Sequence, residues 1–489
     1  MARPYFLAVL AASLLLMAFP PIHISWMAWV GFVTLLFALQ RATSLRQSMR
    51  IGFLFGVVFM GGFHAWIWEL SQFGPIWGIG ILWLLYTLYL AVFYGFFGGL
   101  AYFLKSQRGS LYILGISASF VLMEAFRQTG PIGSPGGMLG YSHADSLIAS
   151  LASWTGVSGV SFAIALFAST LYERSRKDKT GTWPLLSIGT LGLLVFGSLI
   201  TTTPVSTGTV RASSIQGAHS QHIKLNRNST HEIQNFYLTQ TADAIRDGAT
   251  LILWPETITP RLNAQDPHFV RKLQNRLTPQ TILLWGTPVW ENGKFYNSIV
   301  MTTSQNGMTE RYHKHRLVPF GEYWPLKTWF QKLGLSNLIP GAEYSPGPAA
   351  GPIFSNHFSS AICLEALYGT HFRAQVLAGS QGFAVNGNHG WYGHSSAAAK
   401  HLEILRFRAI EYQRSIVFAS TSGISALILP NGKLLAMATP QKECRLIGAL
   451  PLHKEQTPYA RYGEWFLGIL IAICISVFMV SKKPYPSQN

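Results

Sequence analysis

Charge is what this sequence has least of. Only 12% of its 489 residues are charged, while 49% are hydrophobic, and the mean hydropathy is +0.25. A soluble globular chain carries about 25% charge, so the composition points to an integral membrane protein. Cysteine is scarce as well. Cys363, Cys444 and Cys474 form no spaced pair, which argues against a disulfide framework or a zinc site. Acidic residues number 20 against 37 basic ones, for a net charge of +17. No nucleic-acid motif accompanies that excess. Membrane topology and anionic headgroups account for it more simply, so no nucleic-acid partner is expected. Internal repeats are absent too.

Long apolar runs are present instead. Stretches of spanning length fall near 5–20, 24–40, 51–69, 77–104, 111–126, 147–171, 184–202 and 463–481. The first reads as a span rather than a signal peptide, because Pro20 and Pro21 suit a tight turn and no small-residue cleavage site follows. Charge tests the count of eight. With alternating sides, one side receives Arg3, Arg41, Arg46, Arg50, Lys105, Arg108, Arg174, Arg176, Lys177, Lys179, Lys482 and Lys483. The short loops of the other side receive Arg127 alone. The positive-inside rule then places both termini in the cytoplasm and the long 203–462 segment outside it. One span too many or too few would scramble this asymmetry. The expected organisation is a seven-span domain over 1–202, an extracytoplasmic domain over 203–462, and an eighth span with a short tail over 463–489. Glu124 near the end of the fifth span is expensive there, and a helix-end ion pair with Arg127 at the interface is the favoured reading. The Gly- and Pro-rich loop that follows, 127–146, is long enough to lie over the mouth of the bundle.

Residues 203–462 change character. Short apolar runs at 210–217, 249–256, 281–290, 296–303, 359–365, 382–388, 415–422 and 425–432 read as strands. Helical patterns fit 228–246, 264–276, 369–379 and 394–412. The alternation predicts an α/β or layered α+β domain. In such domains chemistry gathers where strands end. Glu256 closes LILWPE and Cys363 lies in SSAICLE at such positions, and Lys314 sits in RYHKHRLVPFGEYWP. A carboxylate, an ammonium and a thiol are the parts an acyl-thioester enzyme needs. Each also has an inert reading: Cys363 as a buried thiol, Lys314 as a solvated surface lysine, Glu256 as a helix cap. The nearby His313, His315, His389 and His394 match no metal spacing, so neither metal nor cofactor is expected. A Cys-His dyad would leave Lys314 unexplained.

These motifs resemble the nitrilase superfamily, which sets a Glu-Lys-Cys triad on a four-layer α-β-β-α sandwich. WPE (254–256) is similar to its glutamate motif and ICLE (362–365) to its nucleophile motif. More specifically, YHKHRLVPFGEYWP (312–325), TPYARYGEW (457–465) and PGGMLGYSHAD (135–145) resemble segments of the apolipoprotein N-acyltransferase family, its membrane-integrated branch. Eight spans, with the catalytic domain between the seventh and eighth, is also that family's architecture.

The resemblance implies Glu256 as general base, Lys314 as electrostatic stabiliser and Cys363 as nucleophile, with Glu322 and Glu365 as supporting carboxylates. It implies a bacterial inner-membrane enzyme with its catalytic domain on the periplasmic side. The implied partners are a phospholipid acyl donor and the α-amine of a diacylglyceryl apolipoprotein, joined through a cysteine thioester. Leu364, His389 and Leu225 depart from the residues usual there: a tyrosine, an aspartate and a tryptophan.

Two further features suit lipid substrates. Residues 323–339 carry Trp324, Trp329 and Phe330 among leucines and lysines, as an arm lying in the interface would. Trp391 and Tyr392, flanked by glycines, suit a second rim of the site. Two alternatives remain. One is a membrane-tethered amidase with water as second nucleophile. The other is a non-catalytic homologue acting in envelope assembly.

Overall fold

The computed structural model describes residues 3–130, 132–176, 192, 205–261, 263–325, 327–332, 343–349, 354 and 357–481. The chain forms two compact units. One comprises 1–202 with 394–403 and 462–489; the other comprises 203–393 with 404–461.

The first unit is helical. Its main helices are Arg3–Met17, Met27–Gln40, Leu45–Phe63, Ile76–Leu104, Gly109–Arg127, Val157–Arg174 and Trp465–Ser481. Small residues let them approach closely. A Cβ on Gly52 would lie 2.2 Å from the Tyr94 carbonyl oxygen, and one on Gly98 would lie 2.4 Å from that of Ser48. The Ser48 hydroxyl bonds the Gly98 carbonyl at 2.7 Å. This is how helices pack where burial of oil against oil supplies little drive. The last helix places Leu470 among Ile113, Val121, Phe162 and Leu166.

The expectation of eight spans is met only in part. Among the described residues, two helices, Ile76–Leu104 and Gly109–Arg127, are long and apolar enough to cross a bilayer. Leu45–Phe63 with Ala65–Gln72 makes a third if that pair, bent by 43°, is one span. Arg3–Met17, Met27–Gln40 and Trp465–Val480 are apolar but shorter. At about 1.5 Å per residue, a helix of that length falls short of a hydrocarbon core of about 30 Å. The sixth run is broken by Gly156 at φ +67°, and Val157–Arg174 is diluted by serines. The seventh, 184–202, lies outside the described residues.

Glu124 and Arg127 do not pair as an exposed helix end. Both are buried. Glu124 accepts the Leu139 N–H at 2.7 Å, and Arg127 donates to the carbonyls of Ser134 and Gly136 at 3.0 and 2.8 Å. The two charges hold the Gly-rich loop that follows their helix.

The second unit is a sandwich of two sheets. Its strands are β1 (Gly208–Gln216), β2 (Leu251–Leu253), β3 (Ile282–Glu291), β4 (Lys294–Thr303), β5 (Gly307–His313), β6 (Phe358–Ile362), β7 (Gly382–Gly387), β8 (Ser415–Ser420), β9 (Ala426–Ile428), β10 (Leu434–Met437) and β11 (Cys444–Leu452). One sheet runs β11-β1-β2-β3-β4-β5 and the other β10-β9-β8-β7-β6. Each contains a parallel trio, β1-β2-β3 and β6-β7-β8, continued by antiparallel neighbours.

Strand periodicity explains the layers. Leu251 and Leu253 point inward with Ile299, Met301, Phe358, Ile362 and Val417. Ile252 and Trp254, one residue out of phase, point to the opposite face. There they meet Tyr237 and Phe269 of helices Thr230–Arg246 and Pro267–Gln274. On the second sheet, Phe383 packs against Phe372 of helix Gly369–Leu377 and Tyr412, with ring centroids 4.6 and 6.3 Å apart. The order of layers is therefore α-β-β-α, as the motifs implied. All eight expected strands and four expected helices form, with ends shifted by a few residues.

Candidate active site

The three reactive residues converge from three strand ends. Glu256 follows β2 after the turn at Pro255. The turn is tight against β3: a Cβ on Gly286 would lie 2.3 Å from the Pro255 carbonyl oxygen and 2.6 Å from the Glu256 Cα. Only glycine admits that approach. Lys314 follows β5, its backbone N–H bonded to the Asn297 carbonyl at 2.8 Å. Cys363 follows β6 at φ +51°. A non-glycine residue there costs about 1–3 kcal/mol, a strain that gathers at functional sites.

Lys314 is the hub. Its ammonium is 1% exposed and bonds Glu322 Oε1 at 2.8 Å and Glu256 Oε1 at 3.2 Å. It is no solvated surface lysine. Asn297 Nδ2 donates to the same two carboxylates, at 2.7 Å to Glu256 and 2.8 Å to Glu322. Glu256 Oε2 accepts the Asn388 backbone N–H at 2.7 Å, and Glu322 Oε2 accepts that of Val318 at 2.8 Å. Every carboxylate oxygen here has a donor, as burial demands.

Electrostatics assigns the protons. Burial alone would raise the Glu256 carboxyl, but the Lys314 ammonium and the Asn297 and Lys314 hydrogen bonds hold it below the usual range. Burial would also lower Lys314, yet the fields of Glu256 and Glu322 keep it well above an ordinary lysine. Burial and the Glu256 charge push the Cys363 thiol up to about 12, against the pull of Lys314. The resting site therefore holds a neutral thiol, an ionised carboxylate and an ammonium. Such a set can pass the thiol proton to Glu256 as sulfur attacks a carbonyl, with Lys314 beside the developing oxyanion.

Glu365 has a different task. Its Oε1 accepts from the Tyr312 hydroxyl at 2.7 Å and from the His315 and Arg316 N–H groups at 2.7 and 3.0 Å. Its Oε2 accepts the Ile362 N–H at 2.9 Å. One buried carboxylate thus ties the lysine loop to the nucleophile turn.

Among the lipid-access candidates, the Tyr392 hydroxyl lies 4.0 Å from Cys363 Sγ. Trp391 is half-buried beside it on the short helix His389–Tyr392. Trp324 bonds Glu343 through its backbone N–H at 3.1 Å and meets Phe320 edge-on. The side chains of Trp329 and Phe330, Leu326 and residues 333–342 lie outside the described residues. His389 is buried against Tyr392 and Phe418, and burial lowers its pKa to about 3, so it stays neutral. Leu364 is half-buried and Leu225 exposed.

Sequence reasoning missed Asn297 and Asn388. A signal existed for the first: an asparagine inside the apolar run YNSIVMTT has to be satisfied when the strand is buried. Asn388 acts through its backbone, which no side-chain motif announces.

Residues 211–457 match the carbon-nitrogen hydrolase family, and that is the family to which this chain belongs. Ahead of that domain, residues 11–170 match the apolipoprotein N-acyltransferase N-terminal domain. Relatives similar along nearly the whole length carry the same name. The apolipoprotein N-acyltransferase of Geobacter metallireducens is 29% identical, covering 96% of this chain and 94% of its own. That of Pseudomonas putida is 29% identical, covering 98% and 96%, and that of Vibrio vulnificus 28%, covering 97% and 96%. A solved Nesterenkonia amidase from the nitrilase superfamily is 18% identical, with a TM-score of 0.40 over 55% of this chain and 98% of that one.

Proposed function

We infer that this protein is an acyltransferase of lipoprotein maturation. It moves a fatty acyl group from a phospholipid, through a cysteine thioester, to the α-amine of a diacylglyceryl-cysteine at an apolipoprotein's amino terminus. The observation that carries the reading is the meeting of Glu256, Lys314 and Cys363 in a chain whose full-length relatives are apolipoprotein N-acyltransferases.

In the first half-reaction Glu256 takes the Cys363 proton as sulfur attacks the ester carbonyl carbon. The carbonyl oxygen becomes an oxyanion facing the Lys314 ammonium. Collapse breaks the ester C–O bond, the lysophospholipid oxygen takes the proton from Glu256, and the thioester remains. In the second, the acceptor amine attacks the thioester carbon and gives its proton to Glu256. The C–S bond breaks, and the proton returns to sulfur. Glu322 keeps the ammonium in place through both steps.

The wider reading is an inner-membrane protein with eight spans, a 1–202 membrane domain, a 203–462 catalytic domain on the periplasmic side and a final span in 463–489. The charge asymmetry of its loops supports it.

The test is intact mass after incubation with phospholipid vesicles, wild type beside Cys363→Ala. A hydroxylamine-labile gain of one acyl group, absent from the variant and lost on adding a diacylglyceryl peptide, is expected. No adduct on folded protein across several phospholipids overturns the donor.

A further inference from the structure

The short helix Gln221–Leu225 inverts the usual order of burial. Ile223 and Leu225 are 45% and 50% exposed, while Lys224 between them is 3% exposed. Its ammonium has no hydrogen-bond partner among the described residues. A buried cation without a partner is costly, and such a group either gives up its proton or takes an anion.

The surroundings of Lys224 place it at the site. Gln221, on the same helix, accepts from Asn388 Nδ2 at 3.2 Å, and the Asn388 backbone N–H holds Glu256. Glu256 is also the carboxylate whose charge acts on Lys224. Glu256 does not hydrogen-bond it; its oxygens take bonds from Lys314, Asn297 and Asn388 instead. The site therefore holds one ammonium bound to carboxylates and a second buried amine with no hydrogen-bond partner among the described residues.

We propose that Lys224 binds the phosphodiester of the acyl donor. The proposal rests on the acyl-transfer reading above. A phospholipid fits the inverted helix: an anionic group to meet the buried ammonium, beside exposed Ile223 and Leu225 that suit hydrocarbon. Burial also lowers the Lys224 pKa to about 7, and an anion beside it would hold it charged. The diacylglyceryl acceptor end carries no phosphate, so Lys224 serves the first half-reaction and not the second.

The experiment compares two acyl donors on full-length wild type and Lys224→Met, reading the rate of the Cys363 adduct by intact mass. Phosphatidylglycerol vesicles present a phosphodiester; p-nitrophenyl palmitate is an ester without one. Charged hydrogen bonds of this kind predict a slowing of about 10- to 100-fold with phosphatidylglycerol. With the p-nitrophenyl ester the rate should stay within about twofold.

Equal slowing on both esters would mean that Lys224 acts through Glu256, and would overturn the proposal. So would no slowing on either. If Lys224→Met reacts with neither ester, Lys224→Arg decides. A wild-type ratio between the two donors upholds phosphate binding; a ratio shifted against phosphatidylglycerol, or loss of both reactions, overturns it. If wild type takes the acyl group from p-nitrophenyl palmitate but not from phosphatidylglycerol, the phospholipid-donor reading itself falls. Inorganic phosphate that slows the vesicle reaction in wild type but not in Lys224→Met supports the pairing. Phosphate that slows both alike points to general ionic screening and counts against it.

Discussion

At the residue scale, Glu256 has two opposed effects on Cys363, and one substitution separates them. In the proposed reaction it removes the thiol proton as a base; as a charge it raises the thiol pKa. Glu256→Gln should therefore make alkylation of Cys363 by iodoacetamide faster at pH 8 while acyl transfer is lost. In wild type the alkylation rate should climb from pH 7 to 10 without a plateau, because the thiol titrates near 12. Acyl transfer should not follow that rise, since Glu256 stays ionised down to below the ordinary carboxylate range. A plateau near pH 8 in wild type would show that the thiol is not held protonated.

Removing the hub, Lys314→Ala, should cost about 100- to 1000-fold in turnover, as loss of an oxyanion donor does. Wild-type turnover in that variant would remove Lys314 from the chemistry. The triad was legible because Glu256 and Cys363 end apolar runs and Lys314 sits in a distinctive motif. The protons on it were not. Which of burial, Lys314 and Glu256 wins at the thiol depends on distances that spacing along the chain does not contain.

At the scale of elements, legibility followed position in the sheet. The strands that went unread were β5, β10 and β11, and all three lie at sheet edges. An edge strand is covered on fewer sides, so its residues need not be apolar. GMTERYH and LLAM mix half-buried with exposed positions, whereas the interior strands β7 and β8 are buried throughout; β6 is also an edge strand, but it is covered, and it was read. The helix at 221–225 was missed for a related reason: apolar residues face out and the lysine faces in, the reverse of the pattern that marks a helix.

Glu365 joins two such elements, and its sequence neighbourhood suggested only a supporting carboxylate. Glu365→Gln keeps the shape but presents an amide where four donors converge. Burying donors without acceptors costs about 1–3 kcal/mol each. The variant should lose several degrees of melting temperature and also slow acylation, because the Lys314 loop is anchored there. An unchanged melting temperature would mean that the clamp carries no load.

At the scale of the whole molecule, the apolar helices and the sandwich both satisfy buried charge, with different groups. In the sandwich the buried carboxylates of the site and Lys314 all have ionic or backbone partners, and Lys224 has none among the described residues. In the helical unit Glu124 and Arg127 turn to backbone groups of a loop, and close packing falls to glycine and serine. The count of spans was harder to read than the sandwich, because hydropathy marks where apolar residues lie, not where a helix begins or breaks; Gly156 shows the difference.

Orientation is tested by cysteine labelling in intact cells, using a background with Cys444→Ser and Cys474→Ser. A membrane-impermeant maleimide added from the periplasmic side should modify Asn431→Cys, an exposed turn of the sandwich, and leave Arg46→Cys untouched until the membrane is broken. Long segments translocate largely regardless of their charge, so adding three arginines near Asn431 should not reverse the result. Labelling of Arg46→Cys before lysis, with Asn431→Cys protected, would invert the topology. The sandwich would then face the cytoplasm, and the periplasmic placement proposed above would fall.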